Sequence, residues 1–347
     1  MYESKRQPTS SRIALTAVGM SIAFFVAESP DILAVMTVPV PETYQGELLS
    51  GAAPWSPEMA ELGKQLFADP VLSRDRSVAC RTCHDPARAF TDGEVLARGI
   101  GGQVGARNTP TIVNRALGQT QFWDGRAASL EEQALGPIAN PLEMDLPIDE
   151  AVDRLRQDPG YASAFQATFG GEPTSERLAA ALAAYEKTVF SVDAPFDRFV
   201  AGDPDALSAA AQRGLALFGT KARCGECHTG LNFTDELFHT LGVPGEGRGA
   251  VTMAANEVGA YKTPTLRDVA LTAPYMHDGS ISTLGEVIDY YDEGGTPHPN
   301  LSDKMTKLGL TDQEKADLVA FLESLTGTII EAGLDANDKE EEQWSSR

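Results

Sequence analysis

Apolar residues along this chain recur at the spacing of amphipathic helices, and they do so in matching sets. Leu62, Leu66 and Phe67 lie at helical intervals with Gly63 beside the first, and Arg213-Gly214-Leu215-Ala216-Leu217-Phe218 repeats the arrangement. Leu178, Ala181, Leu182 and Tyr185 form one apolar face and predict a helix from Ser175 to about Phe190. Leu318, Phe321 and Leu322 predict another from Thr311 to about Leu325, opened by Thr311 and Glu314. Ser129-x-x-Glu132 and Thr283-x-x-Glu286 each mark a further helix start. At that spacing a hydroxyl and a carboxylate satisfy the first free N–H groups of the helix. Gly and Pro are plentiful between these segments, so the fold class that follows is mainly α, short helices joined by long loops.

One apolar run is of another kind. Ile13 to Ala27 carries no charge and follows Lys5, Arg6 and Arg12, the pattern of an export signal. It is short for a membrane span. Ala27 suits cleavage, but Phe25 two residues earlier is large for it, so an uncleaved N-terminal anchor is the alternative. Residues 1–40 are set apart from the fold on this reading, and the folded part is expected in the periplasm. At the other end Asp338-Lys339-Glu340-Glu341-Glu342 has no apolar period, and 334–347 reads as a disordered acidic tail.

The matching helices belong to a longer internal repeat. Each leads to Cys-x-x-Cys-His: Cys80-Arg81-Thr82-Cys83-His84 and Cys224-Gly225-Glu226-Cys227-His228. After each stands Phe-Thr-Asp (Phe90-Thr91-Asp92 and Phe233-Thr234-Asp235), then Thr-Pro-Thr (Thr109-Pro110-Thr111 and Thr263-Pro264-Thr265). Fourteen residues past the first threonine come Trp123-Asp124-Gly125 and His277-Asp278-Gly279. Cys-x-x-Cys-His is the attachment site of a c-type haem: the thiols add to the haem vinyl groups and the histidine binds iron from the proximal side. The two motifs use all four cysteines. A zinc site built from both pairs is the competing reading and fits poorly, because zinc ribbons hold their pairs far closer in sequence. Two cytochrome-c-like helical domains related by duplication follow, with boundaries at 41–195 and 196–333 and one haem c each.

A net charge of −22 argues against nucleic acid and anionic membrane surfaces as partners. It leaves room for a basic protein partner.

The repeat also locates the distal side of each haem. Fourteen residues past His277 lies Tyr291, and fourteen past Trp123 lies Pro137. If Tyr291 approaches the second iron, its counterpart at the first cannot coordinate. Met276, Met305 and Tyr290 are the competing ligands of the second iron. One haem would then be closed and carry electrons, the other open to a small molecule.

The chain resembles the bacterial di-haem cytochrome c peroxidases. The residues that carry this are Arg107-Asn108-Thr109-Pro110-Thr111, Gln121-Phe122-Trp123-Asp124-Gly125-Arg126, Glu132-Gln133-Ala134 and Gly136-Pro137-Ile138 in the first half. In the second they are Lys262-Thr263-Pro264-Thr265-Leu266-Arg267 and Leu271-Thr272-Ala273-Pro274-Tyr275-Met276-His277-Asp278-Gly279. Two departures make it similar to the MauG-type branch, which includes the methanobactin-associated enzymes. A tyrosine, Tyr291, stands where the ordinary peroxidases have Met, and no histidine lies between His84 and Asn108.

The resemblance implies roles for particular residues. His84 and His228 are proximal ligands and Tyr291 the distal ligand of the second haem. Trp123 relays electrons between the haems. Gln133, Pro137 and Glu143 line the open pocket, with Glu143 as the acid–base group. Asn108 and the carbonyls of Thr272 and Pro274 hold one calcium ion. His239 and His277 read as structural or propionate contacts, His298 as a loop residue. The function implied is hydrogen peroxide chemistry at the first haem, with the second sharing the oxidising equivalents and a partner protein oxidised. The alternative is a cytochrome c peroxidase fed by a small cytochrome or cupredoxin, and behind it a non-catalytic electron carrier. A small copper-binding protein is a further candidate partner.

Overall fold

In the computed structural model, which describes residues 55–334, short helices and turns dominate. The export signal read at 1–40 and the tail beyond 334 lie outside the described residues. The first half holds α1 (Pro57–Ala68), α2 (Cys80–Cys83), α3 (Leu130–Ala139), α4 (Ile148–Gln157), α5 (Pro159–Phe169) and α6 (Ser175–Glu186). β1 (Val189–Val192) and α7 (Pro195–Val200) lead to the second. There α8 (Ala209–Phe218), β2 (Phe238–Thr240), α9 (Gly249–Thr252), β3 (Ala260–Lys262), α10 (Leu284–Asp292), α11 (Asp312–Glu323) and β4 (Thr328–Glu331) follow.

The helix starts are built by side chains. Ser56 accepts the Met59 amide at 3.2 Å to open α1, with Pro57 at the first helical position. Ser208 does the same for α8 through Ala211 at 3.1 Å. Thr283 and Thr311 form capping boxes with Glu286 and Glu314.

Duplication shows in the packing. α1 crosses α6 at Gly63, where a Cβ would stand 1.9 Å from the Ala181 carbonyl oxygen and 2.9 Å from the Tyr185 Cβ. α8 crosses α11 at Gly214, where a Cβ would stand 1.9 Å from the Asp317 carbonyl oxygen and 2.8 Å from the Phe321 Cβ. Only glycine allows backbones this close. Three rings meet at each crossing. Phe67 touches Tyr185 (centroids 5.0 Å) and Phe90 (6.5 Å). Phe218 touches Phe321 (5.0 Å) and Phe233 (6.1 Å). All six are buried, and each such side chain contributes roughly 1.5–3 kcal/mol.

The sequence reading needs one correction here. α6 stops at Glu186, short of Phe190, and Val189–Val192 leaves as a strand. β1 pairs antiparallel with β4, with Val189 opposite Glu331 and Val192 opposite Thr328. The partner strand comes from the far end of the chain, so no local pattern reveals it. The end is tied to the first half by more than this ribbon. Tyr185 donates to Glu331 at 2.8 Å, Lys64 pairs with Glu331 at 2.6 Å, and Leu334 is buried in the first core.

The halves meet through the repeated segments, reciprocally. The amide of Asn108, just before the first Thr-Pro-Thr, donates to the carbonyl of His277 (2.8 Å). The amide of Lys262, just before the second, donates to the carbonyl of Trp123 (2.8 Å). Asn114 donates to Asn232 (3.1 Å) and Arg115 pairs with Glu236 (2.9 Å) across the same seam.

Candidate active site

A cavity of ≈ 590 Å³ lies along this seam and reaches into both halves. Both cysteine motifs line it: Cys80, Cys83 and His84, and Cys224, Cys227 and His228. So do Trp123, Gln133, Pro137, Glu143, Tyr291, Asn108, Thr272 and Pro274, whereas Tyr290 and His298 do not.

The histidine of each Cys-x-x-Cys-His motif is held the same way. His84 Nδ1 bonds the Phe90 carbonyl at 3.1 Å, and His228 Nδ1 bonds the Phe233 carbonyl at 2.9 Å. A carbonyl only accepts, so Nδ1 carries the proton and Nε2 keeps its lone pair for a metal. Burial pushes both imidazoles below their ordinary range, toward the neutral form that binds iron. Phe90 and Phe233 both sit at positive φ (58° and 50°), a strained conformation for a bulky residue. It is fixed from behind: Thr111 Oγ1 donates to the Ala89 carbonyl (2.6 Å) and Thr265 Oγ1 to the Asn232 carbonyl (2.8 Å). The repeated Phe-Thr-Asp and Thr-Pro-Thr thus form one device for aiming a histidine. The sequence shows the repeat but not this purpose.

The cavity suits two c-type haems. Its four thiols are free of disulfides, and burial pushes Cys80 and Cys224 up to about 12 and Cys83 to about 11. Although the chain is acidic, seven cationic side chains and only three carboxylates line the cavity. Each haem brings two propionates, which this excess of cations matches. At the seam Glu236 faces both Arg115 (2.9 Å) and Lys262 (3.6 Å), and burial beside Arg115 pushes Lys262 down to about 7. Arg115 was not singled out from the sequence, and Lys262 only as part of a family motif.

The two distal sides differ. α3 begins after Ser129 and α10 after Thr283, and Pro137 and Tyr291 occupy matching places eight residues past those caps. Pro137 lies inside α3, where it lacks an N–H and leaves the Gln133 carbonyl without its helical partner. Tyr291 lines the cavity, and burial pushes its phenol up. Tyr290 is engaged elsewhere: its hydroxyl donates to the Leu241 carbonyl at 2.8 Å. Met276 and Met305 also line the cavity.

Glu143 accepts from Asn140 Nδ2 at 2.6 Å, and burial raises its carboxyl above the ordinary glutamate range. A second carboxylate, Glu186, ends α6 and lines the cavity with only 6% of its surface exposed. Burial pushes it up to about 8. Trp123 donates from Nε1 to the Asn108 carbonyl at 2.9 Å. Asn108 Nδ2 donates to the Glu94 carbonyl at 2.8 Å, leaving Oδ1 as that side chain's free ligating atom. His239 pairs with Asp235 at 2.8 Å on the cavity wall, and His277 stacks on Tyr261 with centroids 3.5 Å apart. His298 Nδ1 accepts the Asn300 amide at 3.1 Å.

Comparison with known proteins places the chain in a family. Residues 57–205 match the family model described as di-haem cytochrome c peroxidase, and 211–326 match the cytochrome c model. The methylamine utilization protein MauG of Methylorubrum extorquens is 46% identical over 281 residues, covering 79% of this chain and 80% of that protein. The cytochrome-c peroxidase IdrP1 of Denitromonas iodatirespirans is 37% identical, covering 91% of this chain and 92% of its own. A crystal structure of a MauG-like protein associated with microbial copper homeostasis superposes with a TM-score of 0.74 at 35% identity, over 79% of this chain and 91% of that one. The chain therefore belongs to the di-haem cytochrome c peroxidase family: it is an oxidoreductase with two haem c groups that uses peroxide and exchanges electrons with a protein donor or substrate.

Proposed function

We propose that this enzyme is of the MauG type, oxidising a partner protein with peroxide rather than disposing of peroxide with a donor's electrons. The observation that carries the reading is the pairing of Pro137 and Tyr291 at matching places on α3 and α10. One pocket is offered a residue that cannot bind iron and the other a phenolic oxygen. A hard oxygen ligand in place of thioether sulfur favours the oxidised state of a haem, which suits holding oxidising power more than collecting electrons. No histidine between His84 and Asn108 is available to cap the first iron from the open side. Identity to MauG of 46% supports the same side.

Bound at the two cysteine motifs, the haems supply the iron that activates peroxide and the store for its two oxidising equivalents. The chain's own residues do the rest. His84 and His228 would hold the haem irons through Nε2, and Tyr291 would supply a ligand at the second. Gln133 orients peroxide in the first. Glu143 takes a proton from one peroxide oxygen and delivers it to the other, which leaves as water. Trp123 joins the two sites. Asn108 Oδ1 and the carbonyls of Thr272 and Pro274 would offer hard neutral oxygens to a calcium ion, and the Asn108 backbone carbonyl accepts from Trp123 Nε1. The folded part works in the periplasm, where a basic or copper-binding protein is the partner that the acidic surface suits.

The ferric holoprotein should show one high-spin and one low-spin haem and should react with peroxide without prior reduction. Tyr291→Phe should make the second haem bind added cyanide, with both haems still attached. Two low-spin signals in the wild type, or a lag removed only by pre-reduction, would remove the open pocket. Fast steady turnover with a reduced small cytochrome c would favour the peroxidase alternative, which the 37% identity to a cytochrome-c peroxidase keeps in play.

A further inference from the structure

Glu186 is a buried carboxyl without a partner. It is 6% exposed, lines the haem cavity, and its side chain makes no hydrogen bond or ion pair among the described residues. The charges around it are spent on others. From α3, Glu131 pairs with Lys187 at 2.6 Å. Arg115 is taken by Glu236 and by the Thr120 carbonyl. A carboxylate left alone in such a place is costly, and the group keeps its proton instead.

The chemistry of the site needs such a group. Reducing peroxide to two waters takes up two electrons and two protons. Glu143 moves a proton from one oxygen to the other and supplies none on balance. Both protons must come from elsewhere, in step with the electrons from the protein donor.

We propose that Glu186 is the internal proton store of the peroxide pocket. Its O–H bond breaks as an O–H bond of the product water forms, and a solvent proton then restores the carboxyl. This rests on the peroxidase activity, not on the choice between partner proteins.

The test uses the di-haem holoprotein and the variants Glu186→Gln and Glu186→Asp. At neutral pH the infrared spectrum should contain a protonated-carboxyl band that shifts in D₂O, disappears in Glu186→Gln, and fades in the wild type above about pH 8. Peroxide turnover driven by ascorbate should fall ~10²-fold in Glu186→Gln, the low end for a positioned acid. The alkaline limb of the wild-type pH profile should vanish with it, and Glu186→Asp should restore part of both. Rapid-mixing reaction of peroxide with the ferric enzyme should be unchanged, since it needs only Glu143. A band that survives in Glu186→Gln, or turnover and pH profile equal to wild type, would overturn the proposal. A carboxyl band in a wild type that does not turn over peroxide would sink the peroxidase assignment, and the proposed role with it.

Discussion

Glu143 owes its position to a glycine. At Gly99 a Cβ would stand 2.1 Å from the Leu142 carbonyl oxygen and 2.6 Å from the Glu143 Cα, so the loop after the first haem motif lies directly on the backbone that carries the carboxylate. The Ile100 amide holds the Glu143 carbonyl at 2.8 Å, and Asn140 holds the side chain. Replacing Glu143 by Gln keeps this frame and removes the acid–base function proposed for it. The rate of peroxide reaction should fall by ~10²–10⁴-fold while the resting spectrum stays the same. The sign of the pH effect follows from burial. Glu143 must be ionised to accept a proton, and its pKa lies above the ordinary range, so the wild-type rate should drop on acidification sooner than a normal glutamate would allow. Stopped-flow rates across pH check both points, and an unchanged acid limb in Glu143→Gln would assign it to another group. Cysteines and histidines were legible in the sequence because haem attachment fixes their spacing. The Phe90 and Phe233 carbonyls were not, since a backbone acceptor leaves no residue-type signature. Glu186 was not either, because only the tertiary fold buries it.

Helix crossings are where the sequence repeat turns into structure. Gly63 and Gly214 were visible as parts of matching segments, and their shared role is the close passage of α1 over α6 and of α8 over α11. Alanine at either site has no room, since the contact is backbone oxygen that cannot rotate away. Gly214→Ala should cost about 1–3 kcal/mol or more, and Gly63→Ala a similar amount. Thermal unfolding followed at the two haem absorbances would show whether each change loosens its own half first. A substitution cost below about 0.5 kcal/mol would mean the helices shift freely at the crossing. The end of α6 was misread for a physical reason. Val189 and Phe190 continue the apolar run and are both buried, so periodicity alone extends the helix. What ends it is pairing with β4, contributed by Thr328–Glu331.

The seam between the halves brings both haem motifs to one cavity. Trp123 lines the cavity shared by both haem motifs, with its carbonyl held by Lys262 and its indole N–H by the Asn108 carbonyl. In Trp123→Phe peroxide should still be consumed at the first site, while the absorbance change of the second haem on adding peroxide should be lost or much slower. Equal rates in mutant and wild type would leave Trp123 as packing. The reciprocal bonds at this seam have a further meaning. In an isologous pair, residue i of one copy meets residue j of the other, and j meets i in return. Asn108 with His277 and Lys262 with Trp123 keep that form within one chain. A single-haem ancestor that paired as a homodimer would have made the same seam, but every substitution in it would have appeared twice. Covalent fusion of two copies would lift that constraint. The present chain has tryptophan on one side of the axis and histidine on the other, and proline on one helix opposite tyrosine on its twin. Two identical electron carriers could thereby diverge into a reactive centre and its accessory while keeping the interface they inherited.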